Sequence, residues 1–368
     1  MTKSSLPSRL ALLGLCLGLG AAALPAQAKD YLVTVSRPNN LYMVDLDDNR
    51  IVSNCTLPDH FGPGTVVMSP DNKIAYVLNH HWENVYGVEV DTCKVVFQAK
   101  QSSATERVKS LASLAVSPDG KELYTVQNPV RLEKDRYQAL APRFAVFDTA
   151  AGLDAKPIRT FPASRRVTVM AAGDNGLVYM AGADIEQIDP KTGKRSVAIP
   201  NANWKRPGHG APDVLAMWPI GKQSNEFMLM YTAPKFKPGS KDPATADLVW
   251  GYSRVDLKTG QKEVRDFAPF EVIMFSGMTR PQRPDLLYGV YTQLSQHDVK
   301  SGKLVKRIDL DHTYYCINMS SDGKKVYLAG TNSDIAIYDA DTLAPLGKIQ
   351  LPEKGDMSTS TMQIFSRN

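Results

Sequence analysis

The sequence predicts an all-β protein, a seven-bladed β-propeller of four-stranded antiparallel blades. Three observations carry this prediction. Short runs that alternate β-branched and aromatic residues recur along the chain, bounded by Asp-Gly, Thr-Gly and Ser-Gly turns. The same order of turn, strand, loop, strand, turn and strand returns with a period of about 40 to 55 residues, the length of a propeller blade. The chain then ends on "TSTMQIFSRN", residues 359–368, a strand-like run with no second strand after it.

With the strands lettered A to D outward from the axis, the units follow in order. The opening unit, "YLVTVSRPNNLYMVDLDDNRIVSNCTLP", holds strands B, C and D but has nothing ahead of it to serve as A. In the second, "TVVM" is strand A and "SPDNKIAYVLNHHWENVYGVEVDTCKVVFQA" supplies the rest. The third runs from "SLAV" through "SPDGKELYTVQ" to "RFAVFDTAAGLDAKPIRTF", and the fourth from "VTVMAA" through "GDNGLVYMAGADIEQIDPKTGKRSVAIP". The fifth takes "VLAMW", "EFMLMYTAP" and "LVWGYSRVDLKTGQKEVRDF". The sixth takes "VIMFS" and "PDLLYGVYTQLSQHDVKSGKLVKRIDL". The seventh takes "CINMS" and "SDGKKVYLAGTNSDIAIYDADTLAPLGKIQLP". The tail "TMQIFS" has the pattern of a strand A and is expected to complete the first blade, leaving no blade edge open to other chains.

The start of the chain reads as an export signal. Lys3 and Arg9 precede the apolar "LALLGLCLGLGAAAL", and "AQA" before Lys29 fits a small-residue cleavage site. Residues 1–28 are therefore expected to be removed and 29–368 to form one exported, soluble domain. No other stretch approaches the roughly 20 apolar residues of a membrane span. Leu15 before Cys16 argues against a lipid-anchored cysteine. Cys55, Cys93 and Cys316 remain, so at least one thiol is left over from any disulfide. Three pairings are open, of which Cys55 with Cys93 is nearest in sequence. There is no C-x-x-C-H motif for haem attachment. The formal net charge is +5 with basic residues spread along the chain, which argues against a nucleic-acid partner.

Propeller topology sorts the connections between two faces. The A–B and C–D turns share one face and are mostly short, as in "SPDGK" and "DPKTGK". The B–C and D–A connections share the other and carry the long insertions "NHHWEN", "QSSATERVKS", "QNPVRLEKDRYQALAPR", "NANWKRPGHGAPDV" and "TAPKFKPGSKDPATAD". Long loops in a compact domain are usually functional or disordered, so binding is expected on this second face, over the central channel.

No G-x-S-x-G elbow or H-E-x-x-H motif is present, and His80 and His81 are neighbours in a loop whose side chains should point apart. His209, in "RPGHGAPD", fits a hydrogen-bonded loop histidine. A basic cluster is more informative: Glu106, Arg107 and Lys109, then Arg131 and Glu133, then Arg165 and Arg166. These charges either pair with one another to hold the loops or dock an acidic partner surface. Trp82, Trp204, Tyr314 and Tyr315 fall on the same face, and aromatics with Arg are common interface anchors. Trp218 and Trp250 lie in strands and read as core.

At "TERVKSLASLAVSPDGK", "NPVRLE", "APDVLAMW" and "DHTYYCINMSSDGK" the chain resembles the β subunit of quinohemoprotein amine dehydrogenase, over essentially all of residues 29–368. "SPDGK" and "YDADTL" are generic to such propellers, whereas "ERVKSL", "NPVRLE" and "PDVLAMW" lie in irregular loops where propellers differ most. The resemblance implies a periplasmic heterotrimer. Its α subunit is a dihaem cytochrome c, its small γ subunit carries cysteine tryptophylquinone, and the β propeller binds no cofactor and has no catalytic residue. The complex deaminates primary amines oxidatively to aldehyde and ammonia and passes electrons to a soluble acceptor. The β chain would cover the quinone pocket, exclude water and line the substrate entrance. The contact residues implied by the matching motifs are Arg107, Lys109, Arg131, Asp213, His312, Tyr314 and Tyr315, joined by Trp82 and Trp204 from the face itself. Two other readings stand beside this one: a stand-alone exported binding or scaffold module of the "YVTN" surface-repeat type, which "AYVLN" and "VYLAG" resemble, and a propeller lactonase.

Overall fold

The computed structural model describes residues 1–2, 28–215, 225–357 and 361–367. Most of the expected export signal, together with Trp218 and most of "VLAMW", lies outside the described residues. The strands form seven antiparallel sheets, six of them four-stranded. They are the blades of a propeller. Blade 1 joins residues 29–56 to the tail strand Gln363–Arg367, and blades 2 to 7 span 66–100, 114–162, 169–199, 213–269, 276–309 and 316–350.

Ring closure follows the expectation. Strand Lys29–Ser36 pairs with the tail in antiparallel register, Leu32 opposite Ile364 and Val33 opposite Gln363. The core is divided into seven clusters of buried side chains, each shared by two neighbouring blades. Across the seam, Leu32, Tyr42 and Val44 of blade 1 meet Tyr327, Ile335 and Ile337 of blade 7 and Ile364 of the tail. Each such side chain contributes roughly 1.5 to 3 kcal/mol through burial, so the seam is packed like every other joint.

The repeat is physical as well as textual. Ile74 N–H donates to Ser69 Oγ at 2.9 Å, Glu122 N–H to Ser117 Oγ at 2.9 Å and Lys325 N–H to Ser320 Oγ at 3.0 Å. Each serine in turn donates to the aspartate two residues on. The next turn position needs a left-handed backbone, supplied by Asn72, Gly120 and Gly323 at φ 61°, 74° and 69°.

Three details depart from the sequence reading. Strand A of blade 6 is Ser276–Arg280 rather than "VIMFS". Val272 and Met274 are buried in a linker that packs between blades 5 and 6, where the Val272 carbonyl accepts the Trp250 indole N–H at 2.8 Å. Strand A can come close because residue 277 is glycine: a Cβ there would stand 2.6 Å from Met230 Sδ. Next, "QNPVRLEKDRYQALAPR" is no plain loop. Strand B of blade 3, Glu122–Leu132, runs on past its blade and pairs with Glu106–Lys109 on one side and Tyr137–Ala139 on the other. The result is a three-stranded ribbon. Finally, one long connection, 149–158, falls on the opposite face and packs onto blade 2 through the bond from Ala155 N–H to Gln98 O at 2.9 Å.

Cys55 and Cys93 form a disulfide with Cα atoms 5.2 Å apart, tying an outer strand of blade 1 to a turn of blade 2. Cys316 is buried and takes part in no disulfide, and burial pushes its thiol pKa far up.

Candidate interaction face

The D–A linkers do one structural job repeatedly. Several of them reach the next blade and anchor there through polar side chains. Asp59 accepts from Asn84 Nδ2 of blade 2 at 2.7 Å and from the Tyr86 hydroxyl. Glu353 accepts from Asn54 Nδ2 of blade 1 at 2.8 Å and from the Tyr42 hydroxyl. In blade 7 the polarity reverses, the linker supplying His312 and Tyr314 and the blade supplying Asp334. His312 Nε2 lies 3.0 Å from Asp334 Oδ1, the Tyr314 hydroxyl donates to Oδ2 at 2.7 Å, and Lys348 Nζ stands 3.1 Å from the same oxygen. In blade 5, Arg206 and His209 from the linker meet Asp266, which also accepts from the Tyr231 hydroxyl at 2.8 Å.

Electrostatics agree with this geometry. Burial works against ionisation of Asp266 and Asp334, but hydrogen bonds from His209, Tyr231 and Arg206, and from Tyr314, Lys348 and His312, outweigh it and hold both carboxyls below their ordinary value. Burial, then Asp59, pushes the Tyr86 phenol up to about 12.

These clamps reassign several expected contact residues. Tyr314 is wholly buried, so that expectation gives way to a structural role, and His312 is its clamp partner. Trp204 is half-buried with its ring edge-on to Tyr231 at 5.0 Å and the Arg206 guanidinium 5.9 Å away. His209 is the hydrogen-bonded loop histidine expected, 2.9 Å from Asp266 and 3.0 Å from the Pro207 carbonyl. Tyr315 stacks with Phe275 and Tyr291 between blades 6 and 7, and its carbonyl accepts from the Ser276 hydroxyl. Asp213 is exposed on the short strand A of blade 5.

Trp82, Arg107 and Lys109 do come together, near the joint of blades 2 and 3. His80, His81 and Trp82 have φ values of 52°, 56° and 68°, and Leu111 and Ala112 have 33° and 67°. Five non-glycine residues in a left-handed backbone cost on the order of 1 kcal/mol or more each and need surroundings that hold them. Those surroundings are present. His81 N–H donates to Phe61 O, Glu83 N–H to His80 O and Ser110 N–H to Trp82 O. The buried Glu83 carboxylate accepts from Ser102 Oγ at 2.8 Å and lies 3.4 Å from Arg107 Nε. Gly64 leaves room for the indole, since a Cβ there would stand 2.6 Å from Trp82 Nε1. The His81 ring stacks on Phe61 at 4.0 Å while His80 faces Asp59 at 3.8 Å; the two imidazoles do not point apart as expected but stand edge-on with centroids 5.8 Å apart, because both residues take a left-handed backbone. Between these segments opens a cleft of about 240 Å³ lined by Arg37, Phe61, Gly62, Pro63, His81, Trp82 and Lys109.

A small space opens among the inner strands of blades 2, 3 and 4. The space there lined by Val67, Val116, Met170 and Ala172 measures about 90 Å³, well below a ligand pocket. Large exposed apolar side chains instead mark the rim of this face: Phe61, Tyr137, Leu215, Leu248, Phe270 and Ile273. Sequence reasoning missed Phe61, although an aromatic beside Gly-Pro in a linker was a usable signal. Among the described residues, no group of three or more His, Cys, Asp or Glu is placed to hold a metal ion.

No protein-family model and no curated protein matches the chain. Solved structures do share its architecture. Hydrazine synthase from Kuenenia stuttgartiensis aligns over 85% of this chain and 89% of that one at 14% identity, with a TM-score of 0.52. A functionally unknown protein from Desulfotomaculum acetoxidans aligns over 91% and 98% at 12% identity, TM-score 0.57. The dihydro-heme d1 dehydrogenase NirN, in complex with DHE, aligns over 90% and 74% at 13% identity, TM-score 0.50. At such identities the likeness is one of fold.

Proposed function

We propose that this chain is the non-catalytic β subunit of a periplasmic quinohemoprotein amine dehydrogenase, serving oxidative deamination of primary amines in a complex with a dihaem cytochrome c and a small quinone-bearing subunit. The observation that carries the reading is the concentration of interface-type features on one face: exposed aromatics, a basic ribbon and a strained, tightly held loop pair beside a cleft. The motifs "ERVKSL" and "NPVRLE", on which the family resemblance rests, are the sequence of that ribbon and its surroundings. Hydrazine synthase and the dihydro-heme d1 dehydrogenase lend support as redox enzymes with the same architecture.

The covalent cofactors belong to the partners in this reading. With Cys55 and Cys93 joined and Cys316 buried, none of the described cysteines is available on the surface to hold haem or a quinone. The quinone supplies the amine oxidation; this chain supplies a rigid cover. Phe61, Trp82 and the Phe275–Tyr291–Tyr315 stack present apolar surface that would keep water from a neighbouring reaction centre.

Purification of the tagged chain from its own host, with an absorption spectrum and an amine-dependent dye-reduction assay, tests the proposal. Haem bands, a small quinone-bearing chain and activity with a primary amine are expected. A colourless, inactive, solitary protein from amine-grown cells would replace this reading with the exported binding module.

A further inference from the structure

We infer that the blade 3 ribbon, with the cleft at its root, is a dock for the acidic surface of a protein partner. The inference rests on the proposed function only for the partner's identity. The ribbon segments 105–109 and 128–140, with Arg165 and Arg166 beside them, carry seven cationic residues against three acids, while the whole chain has a formal charge of only +5. Two of those acids are occupied. Glu106 pairs with Arg143 at 2.8 Å and Glu133 with Arg136 at 2.7 Å. Lys109, Arg131, Lys134, Arg165 and Arg166 form no ion pair among the described residues. Arg165 is held against the ribbon by its bond to the Leu140 carbonyl at 2.6 Å, so its charge adds to the same patch.

Shape points the same way. The strand Tyr137–Ala139 pairs on one side only and is exposed throughout, and Tyr137 is 78% exposed at the ribbon's outer edge. The strand itself is uncharged, but the turn 133–136 beside it carries four charges that resist self-pairing of this edge, and an exposed aromatic among cations suits a charged partner. At the ribbon's root Lys109 lines the cleft together with the Phe61–His81 stack and Trp82. A carboxylate carried next to a flat apolar group satisfies both linings. A protonated amine does not, because Lys109 stands at the cleft with no ion pair among the described residues, while Arg37 is already paired with Asp356 at 3.6 Å, so the cleft receives part of the partner rather than the free substrate.

Charge reversal in the native complex tests this. The double variant Arg131→Glu with Lys134→Glu is compared with Lys258→Glu on the opposite face, each checked for an unchanged unfolding midpoint, and partner retention is measured against salt concentration. The dock predicts at least about tenfold weaker association and a flatter salt dependence for the double variant alone. A second variant, Tyr137→Ala, reads the contact without altering charge and should weaken association severalfold. Four outcomes are distinct. Haem- and quinone-bearing partners lost only from the variants support both the dock and the proposed function. The same partners retained by the variants overturn the dock alone. A different acidic protein, stoichiometric in the purified complex and released by the variants, supports the dock and overturns the proposed function. A solitary chain, or one that binds only anionic phosphatidylglycerol vesicles, overturns both.

Discussion

His297 shows how a single buried group sets a pH limit. It lies wholly buried in blade 6, with Nε2 3.0 Å from Ser295 Oγ and its ring edge-on to Phe267 at 5.4 Å. Its Nδ1 has no hydrogen-bond partner among the described residues. Burial pushes its pKa down to about 4, below the roughly 6.5 of an exposed histidine. The unfolded chain therefore binds a proton that the folded chain refuses. The associated stability is complete above about pH 6.5 and is lost as pH falls towards 4, amounting to about 3 kcal/mol. His297→Leu is expected to flatten unfolding free energy against pH between those limits, as read by urea titration at several pH values; an unchanged slope would refute it. Nothing around "LSQHDVK" marks this residue as buried: Ser295 is a near neighbour in the same strand, but the Phe267 ring that packs against the imidazole comes from another strand. The same distance in sequence hid the roles of Tyr314 and His312. Their aromatic and basic character was visible, but the partner that turns them inward, Asp334, lies in another strand.

The linker clamps are the recurrent element of the fold, and their worth depends on burial. Asp266 is largely buried and serves Arg206, His209 and Tyr231 together. Asp341 also pairs with an arginine, Arg280, but is mostly exposed. Asp266→Asn should cost roughly 2 to 3 kcal/mol and Asp341→Asn less than about 1, because solvent screens the second pair. Equal losses in urea unfolding would count against the clamp. Strands and turns were largely legible in the sequence, since the Ser-x-Asp and Asp-x-x-Thr-Gly turns recur with fixed chemistry. "VIMFS" misled because an apolar run reads alike whether it is a buried strand or a buried linker. The ribbon was hidden for the opposite reason. Pro129 and a dense run of charges resemble a loop, and the pairing that makes it a sheet is with residues about twenty positions earlier.

The whole ring depends on its seam. Removing the chain from Thr359 onward deletes strand A of blade 1 and takes Met362, Ile364 and Phe365 out of the core. A loss of more than about 5 kcal/mol is expected in unfolding measurements, since three large core side chains and a ladder of backbone bonds go together. A midpoint within a degree of the intact chain would mean that the ring does not need its closing strand. Closure was legible because a count of strands left one blade short and the tail one strand over, whereas the cleft beside Trp82 was not, because it forms only where segments far apart in sequence meet. The seam also sets an order of events during synthesis. Thr34 bonds to a carbonyl 327 residues further along the chain, so strand Lys29–Ser36 leaves the ribosome long before the strand that completes its blade. Until then its edge is open, as it stays in any prematurely terminated product. The edge that proteases and aggregating neighbours would seize is therefore covered only in chains that include Gln363–Arg367.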